Sequence, residues 1–324
     1  MYDCIVIGSG IGGLAAAGLL ARVADKRVLV LEKHLEPGGL THTFRRDGAS
    51  WDVGVHYLGE MGPDDGMFQY LDYLSAGELK FNQMPEGFDR FVYPDIDFTV
   101  PSDPDEYQDK LIELFPAEQR AIRRYFRDIK RAYRWNIIRM SRAMVPGFID
   151  PIFALIEKLT GRTATSTTGD YLKKNFRSPV LRALLVSQWG DYGLPPSRSA
   201  FAIHSLVINS YLHGAWFPQG GSARIARTIE KTIERSGGAV RVGQEVTKIL
   251  VEDGRAVGVA AIDRRGLNRQ EVTYRAPLVI SNAGAKLTFE KFLPTDGEIG
   301  RLTQKSRQII KNSGPGSSSI SVYL

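Results

Sequence analysis

The sequence carries a single cysteine, Cys4, among 324 residues. A disulfide-stapled scaffold is therefore excluded, and so is a zinc site built on thiolates. Without a second thiol there is no Cys-x-x-Cys, which rules out a dithiol flavin reductase. Histidine is also scarce. His34, His42, His56, His204 and His213 show neither H-E-x-x-H nor H-x-x-E-H spacing, so no metal is expected. G-x-x-x-x-G-K-[ST] is absent, which removes a P-loop nucleotidase. Ser9 does not sit in a G-x-S-x-G elbow, which argues against an α/β hydrolase. Long apolar runs are lacking too. Residues 4–21 are uncharged, but Gly8, Gly10, Gly12 and Gly13 interrupt them, and Asp3 stands where a leader would be basic. No transmembrane helix is expected.

The chain is 43% hydrophobic and 24% charged, which fits a folded protein of about two domains. Its net charge of +6 is unevenly spread. Residues 1–119 hold 9 Lys/Arg against 21 Asp/Glu, whereas residues 120–142 hold 9 against 1.

Residues 3–8 and 27–32 read as buried strands joined by a helix at 12–23, a βαβ unit with a parallel crossover. Residues 35–62 are glycine-rich and irregular. Residues 88–100 alternate in strand fashion about a turn at Pro94-Asp95. Residues 103–214 read as mostly helical, with breaks near Pro146-Gly147, Thr160-Gly161 and Pro195-Pro196. A second α/β stretch follows: a helix at 222–236, a strand at 239–251, a hairpin through Asp253-Gly254 to 255–262, and a strand at 271–281. Residues 318–324 read as a strand that stops at its own last residue, which suggests a truncated sequence.

The chemistry begins at Gly8-Ser9-Gly10-Ile11-Gly12-Gly13. This G-x-G-x-x-G lies between a strand and a helix, and Glu32 ends the next strand. Gly8 permits the tight turn, Gly10 lets the backbone approach a pyrophosphate, and Gly13 lets the helix pack on the strand. The helix start, with Ile11 and Gly12, offers free N–H groups to the phosphates. Glu32 suits ribose hydroxyls and repels a 2′-phosphate. The fingerprint alone does not separate FAD from NAD. No second one is present, so a dedicated NAD(P)H domain is unsupported.

The segments VIGSGIGGLAAAGLLA, RVLVLEKHLEPGG, HTFRRDGASWDVGVHYLG, FPQGGSARIA and VISNAGA run from residue 5 to 285. Together they resemble the FAD-dependent phytoene desaturase, carotenoid isomerase and retinol saturase family, and 32–59 is most similar to its retinol saturase branch. The resemblance implies FAD as cofactor. Gly8, Gly10 and Gly13 would hold its pyrophosphate, with Ile11 and Gly12 in the same loop. Glu32 and Lys33 would hold the adenosine ribose. Gly38 and Gly39 would run along the ribityl and phosphate region, and Gly54 would approach the isoalloxazine. Val246 would contact adenine through its backbone, and Asn282-Ala283 would return the chain to the FAD domain. His56, two residues past Gly54, is the candidate proton donor or cavity-shaping group, with Tyr57 beside it. The family's further C-terminal glycine-rich turn has no match here.

Arg120, Arg124, Arg127, Arg131 and Arg134 form one helical face, and Ile122, Phe126, Ile129, Tyr133, Ile137 and Met140 another. The apolar segment 144–156 follows. The pair reads either as a helix lying on an anionic membrane surface or as a solvated face packed on the domain core. Nothing resembles a nucleic-acid recognition module.

The expected fold is α/β, a glutathione-reductase-like FAD-binding domain from residues 1–75 and 215–290. A mostly helical substrate domain is inserted at 76–214, and 291–324 begin a truncated C-terminal region. The expected function is flavin-dependent oxidoreduction of a lipophilic, carotenoid- or retinoid-like polyene by a cytoplasmic protein, peripheral at the membrane. The alternatives are a prenyl-binding carrier like the Rab GDP-dissociation inhibitors, a flavin amine oxidase, or an inactive fragment.

Overall fold

The computed structural model describes residues 1–266 and 269–313. The strand expected at 318–324 lies outside them. The chain opens with β1 (Cys4–Ile7), α1 (Ile11–Ala24) and β2 (Val28–Leu31), close to the expected boundaries. A hairpin of β3 (Thr43–Arg46) and β4 (Ala49–Asp52) occupies the stretch read as irregular, followed by α2 (Gly66–Leu74) and β5 (Phe81–Gln83). The hairpin β6 (Arg90–Tyr93) and β7 (Ile96–Thr99) turns at Pro94-Asp95, as expected. Helices α3 (Pro104–Leu114), α4 (Gln119–Ser141), α5 (Asp150–Ala164), α6 (Thr168–Asn175) and α7 (Pro179–Leu184) come next. A 3₁₀ segment, Ser187–Tyr192, leads to α8 (Phe201–Tyr211). Then follow β8 (Trp216–Pro218), α9 (Ala223–Arg235), β9 (Ala239–Arg241), β10 (Gln244–Glu252), β11 (Arg255–Asp263), β12 (Gln270–Arg275) and β13 (Val279–Ser281). The described chain ends in α10 (Ala285–Leu287), a π turn at Thr288–Phe292, and α11 (Gly297–Ser313).

The central sheet is parallel, in the order β13-β1-β2-β9. Strand alternation sorts its apolar side chains between two faces. Cys4, Val6, Val28 and Val30 face a core shared with α1, α2 and α9. Ile5, Ile7, Leu29 and Leu31 face a core shared with the antiparallel sheet β10-β11-β12. Both faces are therefore covered, which is why β1 and β2 are continuously apolar. Gly18 of α1 faces Leu74 and Ile229, where a Cβ would come within 3.1 and 3.2 Å of their methyl groups. A third core belongs to residues 91–212 alone, around α4, α7 and α8. Leu79 and Phe81, just past the expected boundary at 75, pack with the first core.

Three expected elements are corrected. The strand read at 239–251 is two strands: β9 completes the parallel sheet, and after Gly243, at φ +67, the chain enters β10 of the antiparallel sheet. The strand at 271–281 likewise divides into β12 and β13, which serve different sheets. The break expected at Thr160-Gly161 does not occur, and α5 runs through it. A Cβ on Gly161 would lie 2.9 Å from the Trp135 indole nitrogen, so this glycine permits close packing of α5 on α4.

Candidate functional site

The fingerprint glycines form a cradle at the end of β1. Gly8 has φ +94, and a Cβ there would meet the Asn282 carbonyl at 3.3 Å. Gly10 is the N-cap of α1, and no side chain caps that helix or places acid in its first turn. Its N–H groups are thus oriented for an anion, with Gly12 and the 42%-exposed Ile11 in the first turn. Gly13 packs against Gly8, where a Cβ would fall 2.1 Å from the carbonyl oxygen. The Asn282 side chain stands over this loop, 3.0–3.5 Å from where Cβ atoms on Gly10, Gly12 and Gly13 would be. The Asn282 N–H donates to the Ile7 carbonyl at 2.8 Å, and Ala283 packs beside β13. Residues 275 positions apart in the chain therefore form one loop system.

Ser9, to which the sequence assigned no role, ties the site together. It is fully buried. Its N–H and hydroxyl each donate to Glu32 Oε2 at 2.8 Å, and its Oγ accepts from the Gly38 N–H at 3.1 Å. Glu32 Oε1 accepts from the His34 N–H at 2.8 Å. The Glu32 carboxylate is thus committed largely to the protein, and of its roughly four acceptor sites about one is left for a ribose hydroxyl. Lys33 is exposed just beyond β2.

Gly38 bridges Gly10 in parallel fashion, with φ +114. Gly39 approaches so closely that a Cβ would lie 3.0 Å from the Gly10 Cα. Gly54 in turn packs on Leu40, where a Cβ would lie 3.0 Å from the side chain. Asp52 joins this strand end to the α9 start: its Oδ1 accepts from the Ser222 N–H at 2.8 Å and lies 2.5 Å from the Ser222 hydroxyl. Four separated segments of the sequence therefore meet here. The Val246 side chain is 6% exposed in the core it shares with Ile7 and Leu31, and two residues earlier the Gln244 N–H donates to the Glu32 carbonyl at 2.7 Å. A β-bulge between Val246 and Lys248 irregularises the backbone there.

His56 follows Gly54 by two residues in the chain. Its Nε2 lies 3.7 Å from Asp191 Oδ1. The Tyr57 hydroxyl donates to Asp89 Oδ2 at 2.7 Å, and Gln188 Nε2 donates to the same oxygen at 2.9 Å. The rings of His56, Phe88 and Tyr211 all pack edge-on against Tyr57 at 4.8–5.2 Å. Burial and the nearby Asp89 charge push the Asp191 carboxyl up, with His56 opposing them. Burial, the hydrogen bond to Asp89 and the charge of Asp191 also push the Tyr57 hydroxyl up. Asp89, Gln188 and Asp191 lie 32 residues or more from Tyr57 in the chain, and no local motif announces them.

The profile of the family described as flavin containing amine oxidoreductase matches residues 11–320. The chain is 35% identical to an all-trans-retinol 13,14-reductase of Danio rerio over 99% of its own length and 53% of the relative. It is 30% identical to a chloroplastic prolycopene isomerase 1 of an Oncidium hybrid cultivar, over 91% of its own length and 50% of the relative. It thus spans about half the length of these curated relatives. Among solved structures, an oxidoreductase from Methanosarcina mazei superposes with a TM-score of 0.59 at 20% identity, covering 94% of this chain and 65% of that one.

Proposed function

Because this chain belongs to the flavin containing amine oxidoreductase family, we propose that it uses FAD to exchange hydride with the carbon–carbon bonds of a lipophilic polyene. The observation that carries this reading is the glycine cluster. Gly8, Gly10, Gly13, Gly38, Gly39 and Gly54 come from three segments and draw backbone close to backbone beside the uncapped α1 N-terminus. Only residues without a Cβ let a phosphate or a planar ring lie along such backbone. Bound FAD would supply hydride exchange at N5. The α1 N-terminus and the Gly38-Gly39 turn would hold its phosphates, and Glu32 would present its remaining acceptor to ribose. The polyene class follows from the names of the reductase and isomerase relatives. Val246 and Lys33 are assigned to the adenosine end.

The test is direct. The purified chain is loaded with FAD, freed of excess, reduced without oxygen, and mixed with retinol or a carotenoid. Polyene-dependent recovery of the oxidised flavin spectrum is expected. Bleaching by an alkylamine instead would make the protein an amine oxidase, and failure to retain flavin would remove the reading.

A polyene drawn from a lipid phase calls for an exposed apolar segment that meets it. Among the described residues, no helix is long and apolar enough to cross a membrane. Ile122, Phe126 and Ile129 of α4 are buried in the helical core, so that part of the apolar face is not free. Met140, Met144, Phe148, Ile152, Leu155 and Leu159 are 56–82% exposed around the α4–α5 turn. Arg120, Arg123, Arg127 and Arg134 are exposed along α4. We assign this apolar turn with its basic approach to an anionic bilayer surface. The triple variant Met144→Ser, Phe148→Ser, Leu159→Ser removes three large apolar side chains, each worth roughly 1.5–3 kcal/mol when buried. Co-sedimentation with anionic phospholipid vesicles is expected to weaken at least about 100-fold, with the melting temperature unchanged. Equal binding by the variant would sink the assignment.

A further inference from the structure

We propose that His56 delivers the proton that accompanies hydride transfer, and that Asp191 holds His56 in position and recharges it. This rests on the flavin-and-polyene reading above. Adding two hydrogens across a carbon–carbon double bond takes one hydride and one proton. Reduced flavin, a two-electron donor, accounts for the hydride. The π bond breaks as the first C–H bond forms, and the charge left on the polyene is quenched by a proton. In this assignment an N–H bond of His56 breaks and the second C–H bond forms. The imidazole then takes a proton from the Asp191 carboxyl, and the resulting carboxylate regains one from solvent. Isomerisation needs the same group to give and take back one proton.

Three observations support it. First, position: His56 lies two residues past Gly54 in the chain, and its side chain is 52% exposed whereas Asp191 is 24% exposed. The imidazole can thus meet a bound molecule while its partner stays behind it. Second, burial and the charge of Asp89, at the start of the β6 hairpin, disfavour the charged form of Asp191, and the neutral hydroxyls of Tyr57, Tyr192 and Tyr211 surround it from the His56 loop, its own segment and α8. His56 is the only one of these titratable neighbours that favours its charged form. Proton sharing between the two is the response expected of a carboxylate beside a second carboxylate. Third, Asp89 is already engaged by the Tyr57 hydroxyl and Gln188, and so fixes the wall rather than the proton. The 3.7 Å separation of His56 and Asp191 closes to a hydrogen bond by a small side-chain rotation.

The test uses the full chain. First, ¹⁵N-histidine spectra are recorded without flavin. Asp191→Asn, which preserves shape, is expected to move the His56 ring resonances and leave those of His34, His42 and His213 in place. Second, polyene-dependent flavin reoxidation is timed as a function of pH in the FAD-loaded protein. General acid catalysis is worth roughly 10²–10⁴-fold, so His56→Gln should slow reoxidation at least about 100-fold without weakening polyene binding. Asp191→Asn should change the shape of the pH profile, and Asp191→Glu should restore it in part. Wild-type rates and an unchanged profile in His56→Gln and Asp191→Asn would overturn the proposal while leaving the polyene reading intact. If wild type retains flavin but meets no polyene it can reduce or isomerise, the polyene reading fails instead. Unmoved His56 resonances in Asp191→Asn would overturn the pairing whatever the substrate.

Discussion

Gly13→Ala is expected to cost on the order of 3 kcal/mol of stability and to leave the protein unable to retain flavin. A Cβ at this position would lie 2.1 Å from the Gly8 carbonyl oxygen, and backbone cannot swing aside as a side chain can. The α1 start must move off β1, and the glycine cluster moves with it. Two neighbouring substitutions show that the effect belongs to geometry. At Gly12 a Cβ would meet the Asn282 side-chain oxygen at 3.0 Å, a group able to shift, and alanine improves helix propensity. Gly12→Ala should therefore change stability by less than about 1 kcal/mol. Gly10→Ala meets only the Asn282 amide nitrogen, at an ordinary 3.5 Å. It should fold with near-native stability yet lose flavin, because a side chain there would keep the backbone from approaching the pyrophosphate. Thermal melts read beside flavin absorbance separate the cases. A stable, flavin-retaining Gly13→Ala would refute the cradle.

The second large effect is a loss of stability in acid. His204 is fully buried in α8, and burial pushes its imidazole down to about 3 from the ordinary 6.5. Its Nε2 pairs with the Tyr125 hydroxyl at 2.8 Å and its Nδ1 with the Tyr192 hydroxyl at 3.3 Å. The sign is fixed by proton counting. Between pH 6.5 and about 3 the unfolded chain binds a proton at His204 that the folded chain refuses. Acid therefore favours unfolding, by roughly 1.4 kcal/mol for each pH unit in that window. The contribution is fully present above pH 6.5. His204→Gln keeps a polar partner for one tyrosine but loses hydrogen bonding, at about 1–2 kcal/mol near neutrality. It also removes the titration. Plots of stability against pH for wild type and variant should converge below neutrality and cross near pH ~5. Parallel curves from pH 7 to 4 would show that His204 does not govern the acid limb.

The parts of the structure legible in the sequence were those specified by adjacent residues. The β1–α1–β2 unit emerges within a residue or two of expectation because apolar runs, glycine and helix formers all agree locally. The β6–β7 hairpin is equally local. Residues 239–251 and 271–281 misled because apolar alternation does not say which sheet a strand joins. In each case only a short irregular segment, Val242-Gly243 or Ala276-Pro277-Leu278, separates strands bound for different sheets. Gly161 was misleading for another reason: its lack of a side chain serves contact with Trp135 rather than a turn. The glycines of the site could be named in advance. The groups around His56 and Tyr57 could not, since Asp191 and Asp89 reach them only through tertiary packing, and nothing local to Ser9 says that Glu32 folds onto it.

The central sheet also dictates an order of assembly. Ile5 pairs with Val279 on one side, and β2 pairs with β9 on the other. The first strand made thus waits for one of the last. Closing a loop of that length is slow even though its entropic cost grows only with the logarithm of its length. The insertion, whose core lies wholly within residues 91–212, has its contacts in hand much earlier. During synthesis it is expected to fold first, with Ile5 and Ile7 still without Val279 and its neighbours. A ribosome stalled before Ser281 would release a chain with an ordered helical half and an open, aggregation-prone strand edge.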